Sequence, residues 1–439
     1  MAGAPIINEQ AVSPGQTIAK TPAFLVALVV GLFFIWGGLT SLNDILIPKL
    51  KDLFRLSFAE AMMIQFAFFT AYAVVSIPAG AAVHRLGYGR GIVLGLAIMA
   101  VGCLLFIPAA QTATYAFFLG ALFILASGVA TLQVAANPLI AQMGDSHSSH
   151  SRLTLAQAFN ALGTTVWPLV GAQIILGSIS DVDPSSLEGA ELAAFQSAEV
   201  AVVSRTYFFI VLALALLAVP FVIWREKLGA IGAQRFSSKG LGLDLLKRAR
   251  LGLGVMSIFL YVGAEVSIGS IIVNYLMQPD VLAADERTAG SMVSLYWGGA
   301  MVGRFIGAGV LRLAPPGVVL CAAALLAAAL ATVSMLSTGH VSAYCLLAIG
   351  LANAIMFPTI FSLALEGLGL RAAQGSGLLC VAIVGGAIVP LLMGMLADAT
   401  SLATSIALPV ICYLGIAFYG WSARQPAAPL DATSPQASN

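Results

Sequence analysis

The sequence predicts an all-α integral membrane protein whose twelve transmembrane helices form two pseudo-symmetric six-helix bundles. Three observations lead there. Hydrophobic residues make up 60% and charged residues 9% of the 439, where soluble domains carry roughly 25% charge, and the mean hydropathy is +0.98. Apolar runs long enough to cross a bilayer recur twelve times. The second half of the chain repeats features of the first.

A helix needs about 20 residues to cross about 30 Å of hydrocarbon. Runs of that kind lie near 22–48, 58–82, 91–110, 114–142, 153–177, 205–225, 250–277, 287–311, 317–336, 340–365, 371–397 and 402–422. Residues 1–21 lack a basic stretch followed by a short apolar core and a small-residue cleavage site, so they read as a tail and not as a signal peptide. The expected organisation is a cytoplasmic tail over 1–21, a first bundle over 22–225, a cytoplasmic linker over 226–249, a second bundle over 250–422 and a cytoplasmic tail over 423–439.

Charge sets the orientation. The segment 178–204, expected as a loop, is acidic, with Asp181, Asp183, Glu188, Glu191 and Glu199; the segment 225–250 is basic, with Arg225, Lys227, Arg235, Lys239, Lys247, Arg248 and Arg250. With both termini in the cytoplasm, those seven join Lys20, Arg85, Arg90, Arg152, Arg312, Arg371 and Arg424 inside, leaving Lys49, Lys51, Arg55, Arg205 and Arg287 outside. The positive-inside rule selects this arrangement, an inner-membrane protein with both ends cytoplasmic.

The repeat rests on three matches in the same order. GAAVHR at 80–85 answers GAGVLR at 307–312, Gly163 and Pro168 answer Gly385 and Pro390, and Pro138 answers Pro358. A duplicated six-helix unit with a long central loop suits a rocking transporter whose site lies between the halves near the midplane.

Several residues are out of place in a bilayer. Asp44, in FFIWGGLTSLNDILIP, has no basic residue within four positions and shares a helical face with Phe33, Thr40 and Pro48. An acid at bilayer centre costs roughly 2.5–3.5 kcal/mol on insertion scales and marks ion or substrate work; the competing reading is a helix cap at headgroup level near Lys49 and Lys51. Gln133 and Asn137 stand four apart in span four, and Gln157 and Asn160 three apart in span five. Carboxamides both donate and accept, which suits a neutral polyhydroxy ligand; the plainer alternative is helix–helix bonding. Pro138 is expected to break span four and bare its carbonyls.

Glu265 lies mid-span on the face of Tyr261 and Gly269, with Ser267, Ser270 and Asn274 on another face; it either exchanges a proton or pairs permanently with Arg304. Asn353 is a further polar candidate. Aromatic rings that could stack on a sugar are Phe33, Trp36, Trp167, Tyr261, Tyr275, Tyr296 and Trp297. The five cysteines all lie in apolar runs without metal-ligand spacing, so neither disulfide nor metal site is expected. No cofactor is implied, no basic surface for nucleic acid exists at net charge +1, and no nucleophile or phosphate-cradling motif marks an enzyme.

After span two, GAAVHRLGYGR resembles the signature loop of the major facilitator superfamily, with His84 where an acid would stand. In that turn His84 reads as structural, and Arg85 and Arg90 are placed to bind helix-terminal carbonyls. SLNDILIP, QVAANP and LAQAFNALG together resemble the fucose/proton symporter family within it, and YVGAEVSIGSIIVNYL looks like its glucose/galactose or N-acetylglucosamine transporter branch. The resemblance implies a monomeric symporter, in the lipid bilayer, that imports a neutral sugar with a proton, or with sodium. Asp44 takes the place of the family's membrane-embedded carboxylate, while Gln133 stands where fucose transporters carry a glutamate. The expected coupling residues are therefore Asp44 and Glu265, and the expected sugar-binding residues are Asp44, Trp36, Gln133, Asn137, Gln157, Asn160, Glu265, Asn274 and Asn353. Alternatives are a proton-coupled efflux antiporter and a sugar-binding membrane sensor.

Overall fold

The computed structural model describes residues 22–54, 58–112, 114–175, 189–231 and 241–427. Within the helices, the side chains of 39–54, 58–65, 110, 146, 168–175, 190–200, 202–203 and 286–287 lie outside the described set. Among the described residues twelve helical units follow one another: α1 (Ala23–Phe54), α2 (Phe58–Leu86), α3 (Tyr88–Gln111), α4 (Tyr115–Gln142), α5 (Ser149–Ile175), α6 (Gly189–Ala230), α7 (Ala249–Leu276), α8 (Glu286–Leu313), α9 (Pro316–Leu336), α10 (Gly339–Asn353 and Met356–Leu365), α11 (Ala372–Val381 and Gly385–Ala399) and α12 (Leu402–Ser405 and Ala407–Ser422). Among the described residues nine helices are long and apolar enough to cross a membrane, and the stretch Ala23–Gly38 of α1 is a shorter apolar one. All five cysteines are free thiols.

Three local expectations need correction. The segment expected as a loop before span six is helical from Gly189 onward; GAELAAFQSAEV is rich in strong helix formers, so the helix runs on past its apolar window. Likewise α1 continues beyond Pro48 to Phe54. Pro138 does not break α4, which continues to Gln142. Proline forfeits only its own N–H bond there, and Arg152 of α5 caps the end of the helix, its guanidinium donating to the carbonyls of Ile140 at 3.3 Å and Ala141 at 2.7 Å.

The internal repeat is visible in how closely the helices approach. A Cβ at Gly163 of α5 would stand 2.1 Å from the carbonyl oxygen of Phe34 in α1, and one at Gly385 of α11 would stand 2.1 Å from that of Phe259 in α7. Gly89 at the start of α3 meets the Arg225 carbonyl at the end of α6, and Gly317 at the start of α9 meets the Gly420 carbonyl near the end of α12. Backbones approach this closely only where a side chain is missing, as at membrane helix interfaces generally.

The two halves touch along α2 against α11 and along α5 against α8 and α10. A Cβ at Gly377 would lie 2.6 Å from the Ser76 carbonyl, and one at Gly80 2.9 Å from that of Ala373. Polar bonds between the halves gather at the end of the molecule that carries the basic linker: His84 Nδ1 to the Leu370 carbonyl at 3.1 Å, Ser151 Oγ to the Ala308 carbonyl at 2.6 Å, and Arg312 Nε to Ser151 Oγ at 3.1 Å. Arg90 does not bind a helix-terminal carbonyl as expected; it pairs with the Glu226 carboxylate at 2.7 Å, because α3 starts against the end of α6.

Candidate functional site

In the first half, α5 is seated on α1 by small residues. With Gly163 pressed on Phe34, Asn160 one turn earlier donates from Nδ2 to the Phe33 carbonyl at 3.0 Å, and Trp167 packs over Gly38. Trp36 is enclosed, its ring 5.3 Å from that of Phe33. Asp44 follows about three helical turns beyond Phe33 on α1; its side chain, with those of Thr40 and Pro48, lies outside the described set.

Asn137, fully buried on α4, accepts at Oδ1 from Gln157 Nε2 of α5 at 3.2 Å. One turn earlier Gln133 donates from Nε2 to the Tyr72 hydroxyl of α2 at 3.0 Å. Two valences remain: Gln133 Oε1 and Asn137 Nδ2 are buried without a hydrogen-bond partner. Such an orphan costs about 1–3 kcal/mol. The four carboxamides thus serve three different helix contacts, and Asn137 and Gln157 are the two that meet.

In the second half the polar groups converge on Glu265. Tyr261, one turn earlier on α7, donates to Glu265 Oε1 at 2.6 Å, the i, i+4 spacing that puts both on one face. From α8 the Tyr296 hydroxyl donates to the Glu265 backbone carbonyl at 3.3 Å, and from α10 Asn353 Nδ2 donates to the Tyr296 hydroxyl at 2.9 Å. Tyr261, Tyr296 and Asn353 are almost fully enclosed, whereas the Glu265 side chain is half-buried. Asn353 Oδ1 and the hydroxyl of Tyr413 are buried without a hydrogen bond of ordinary geometry, and the two side chains lie beside each other.

Arg304 makes no direct ion pair with Glu265, although its charge still acts on that carboxylate. Pro358 has no N–H to give the Ala354 carbonyl, α10 is interrupted there, and Arg304 Nε donates to that carbonyl at 3.4 Å. Gly303 of α8 lets the interrupted turn approach, since a Cβ there would lie 2.6 Å from that of Ala354. Of the other candidates, Ser267 is buried with an unpaired hydroxyl, and Ser270 spends its hydroxyl on the Val266 carbonyl at 2.8 Å. Asn274 is exposed about two and a half turns beyond Glu265, and Tyr275 is bonded to Ser334 and Ser342. Tyr72, Tyr413 and the partnership of Asn353 with Tyr296 were not foreseen; a tyrosine inside an apolar run carries no local mark of what its hydroxyl meets.

Comparison with known proteins places this architecture. Residues 28–390 match the Major Facilitator Superfamily. The chain is 49% identical over 401 residues to the glucose/galactose transporter of Brucella abortus, covering 91% of this chain and 94% of that protein. It is 34% identical over 401 residues to the L-fucose–proton symporter of Escherichia coli, covering 88% and 90%. A crystal structure of FucP, a superfamily transporter in the outward conformation, superposes with a TM-score of 0.85 at 32% identity, covering 92% of this chain and 99% of that one. The chain belongs to the major facilitator superfamily of transporters.

Proposed function

We propose that the protein imports a neutral sugar, a hexose or N-acetylhexosamine, together with a proton by alternating access. In this reading it is a monomer of the inner membrane with both termini and the basic linker in the cytoplasm, and its units run 22–225, 226–249 and 250–422. The observation that carries the reading is the pair of unspent valences one turn apart on α4, the acceptor Gln133 Oε1 and the donor Asn137 Nδ2. A sugar hydroxyl donates and accepts at once and suits such a pair, and the relatives are named for glucose, galactose and fucose.

Asp44 and Glu265 share the coupling, one from each half. Protonation of either changes the relative stability of the outward and inward states, so a proton gradient can drive sugar uphill. Asn353 serves here by holding Tyr296 under Glu265, not by touching sugar, and Asn274 stands apart. With the basic end cytoplasmic, the closed contacts at that end make this the outward-facing state.

The test is uptake of labelled sugars into proteoliposomes in sodium-free buffer with an imposed pH gradient, comparing the native protein with Asp44→Asn. Gradient-dependent accumulation of one hexose, lost in the variant while sugar exchange survives, is the expected result. Accumulation that persists after the gradient is collapsed would overturn proton coupling, and resistance to dyes without any sugar uptake would turn the reading to efflux.

A further inference from the structure

His150, the second residue of α5, is 4% exposed and both its ring nitrogens point across to the other half. Nδ1 lies 2.7 Å from Ser362 Oγ and Nε2 lies 2.9 Å from Glu366 Oε1, both near the end of α10. The second Glu366 oxygen is taken by Arg250 at the start of α7, which also donates from Nε to the Leu363 carbonyl at 2.8 Å. Glu366 is therefore the hub of an inter-half cluster, and His150 is the first half's contribution to it.

Counting protons through this cluster sets apart the two states open to the imidazole. The Glu366 carboxylate accepts, so Nε2 donates to it. Ser362 has one hydroxyl proton, and its oxygen lies 2.6 Å from the Pro358 carbonyl. If Nδ1 also carries a proton it donates to Ser362 Oγ, Ser362 donates to Pro358, and every polar atom is served. If Nδ1 is bare, Ser362 must turn its proton away from the carbonyl, or Nδ1 goes unpaired; either way one buried bond is lost.

We propose that His150 is a proton-sensitive latch: doubly protonated it clamps α5 to α10 and holds the linker end closed, and loss of one proton loosens that closure. The charged and titratable groups around it are Glu366 of α10, Arg250 of α7, Tyr419 of α12 beside both, Arg312 of α8 through Ser151, Arg152 of α5 itself, and Asp145 and His147 just before α5. The latch stands on the hydrogen bonds alone; its consequence for turnover rests on the transport reading, in which an alkaline cytoplasm would favour opening toward it.

The experiment uses the full chain in lipid nanodiscs, with neither sugar nor gradient, so it reads the latch even if the transport reading fails. Thr154→Cys places a thiol at a fully buried position where α5 meets Gly307 of α8. Its reaction with a maleimide is followed by mass spectrometry of that peptide across a pH series on both sides of neutrality. Each rate is divided by that of the same thiol in a His150→Gln background, which cancels the pH dependence of the thiolate. The native latch should protect the thiol about five- to tenfold at the acid end and lose most of that protection at the alkaline end. A ratio that is constant with pH, or equal to one throughout, would overturn the proposal. Ser362→Ala is the second variant, since it removes the partner that distinguishes the two protonation states: its protection should be weak and pH-independent, and unchanged pH-dependent protection there would also refute the latch.

Discussion

In the first half the carboxamides of Gln133, Asn137, Gln157 and Asn160 are spread over contacts with α2, α4 and α1. In the second, Tyr261, Tyr296 and Asn353 are lined up on one residue, Glu265. The first arrangement leaves neutral donors and acceptors over, and the second braces a single ionisable group. Neutral amides hold a polyol equally well whatever the proton does, whereas a braced carboxylate responds to the proton. The duplicated fold therefore carries unequal chemistry in its halves, and under the proposed function this separates sugar reading from part of the coupling.

Removing the charge from the second half should produce the largest effect. Glu265→Gln is expected to lower gradient-driven accumulation about 100-fold while sugar exchange at equal pH on both sides stays within about threefold, since the amide can still accept from Tyr261. If exchange collapsed as well, Glu265 would be a sugar ligand and the contrast between the halves would fail. In the first half, Gln157→Ala should raise KM for sugar about tenfold, because it strands the buried Asn137, with the accumulation ratio at saturating sugar unchanged. Both are read from initial rates in proteoliposomes.

Tyr261→Phe removes one hydroxyl from Glu265 and fills the same space, so a loss of about three- to tenfold in gradient-driven uptake is expected without a change in the amount of folded protein. An effect as large as that of Glu265→Gln would mean that the tyrosine itself moves the proton. The smallest effect belongs to a pair outside both sites. Asp244 in the linker turn Leu243–Lys247 is bound by Arg371 at 2.5 and 2.6 Å, and that hydrogen bonding holds its carboxyl below the usual range. A depressed carboxyl stabilises the fold above its ordinary pKa and loses that contribution as pH falls through the lowered one. Asp244→Asn should therefore lower Tm by no more than about 2 °C near neutrality, Asp244 itself being largely exposed, and the difference should shrink below about pH 4.

Much of the architecture was legible in the sequence because a bilayer imposes length and composition directly. The twelve apolar runs match twelve helical units, and the paired Gly163 and Gly385 mark equivalent close approaches of α5 to α1 and α11 to α7. The site was legible only as residue types. That Gln157 meets Asn137, or that Asn353 props Tyr296, depends on helix rotation, which an apolar run without a strong polar face does not reveal. The two matched prolines behave differently: α4 runs on through Pro138 with Arg152 capping its end, while α10 is interrupted before Pro358 and the freed Ala354 carbonyl takes a bond from Arg304. The bonds from His150 to Glu366 join positions 216 apart in sequence, with no local signal at either end.

The most direct test of the unequal halves is to measure sugar entry and proton entry together in proteoliposomes, comparing the native protein, Gln157→Ala and Glu265→Gln at saturating sugar. The account predicts the same number of protons per sugar for the native protein and Gln157→Ala, and a fall toward uncoupled sugar entry for Glu265→Gln. An unchanged proton-to-sugar ratio in Glu265→Gln, or a lowered one in Gln157→Ala, would contradict it.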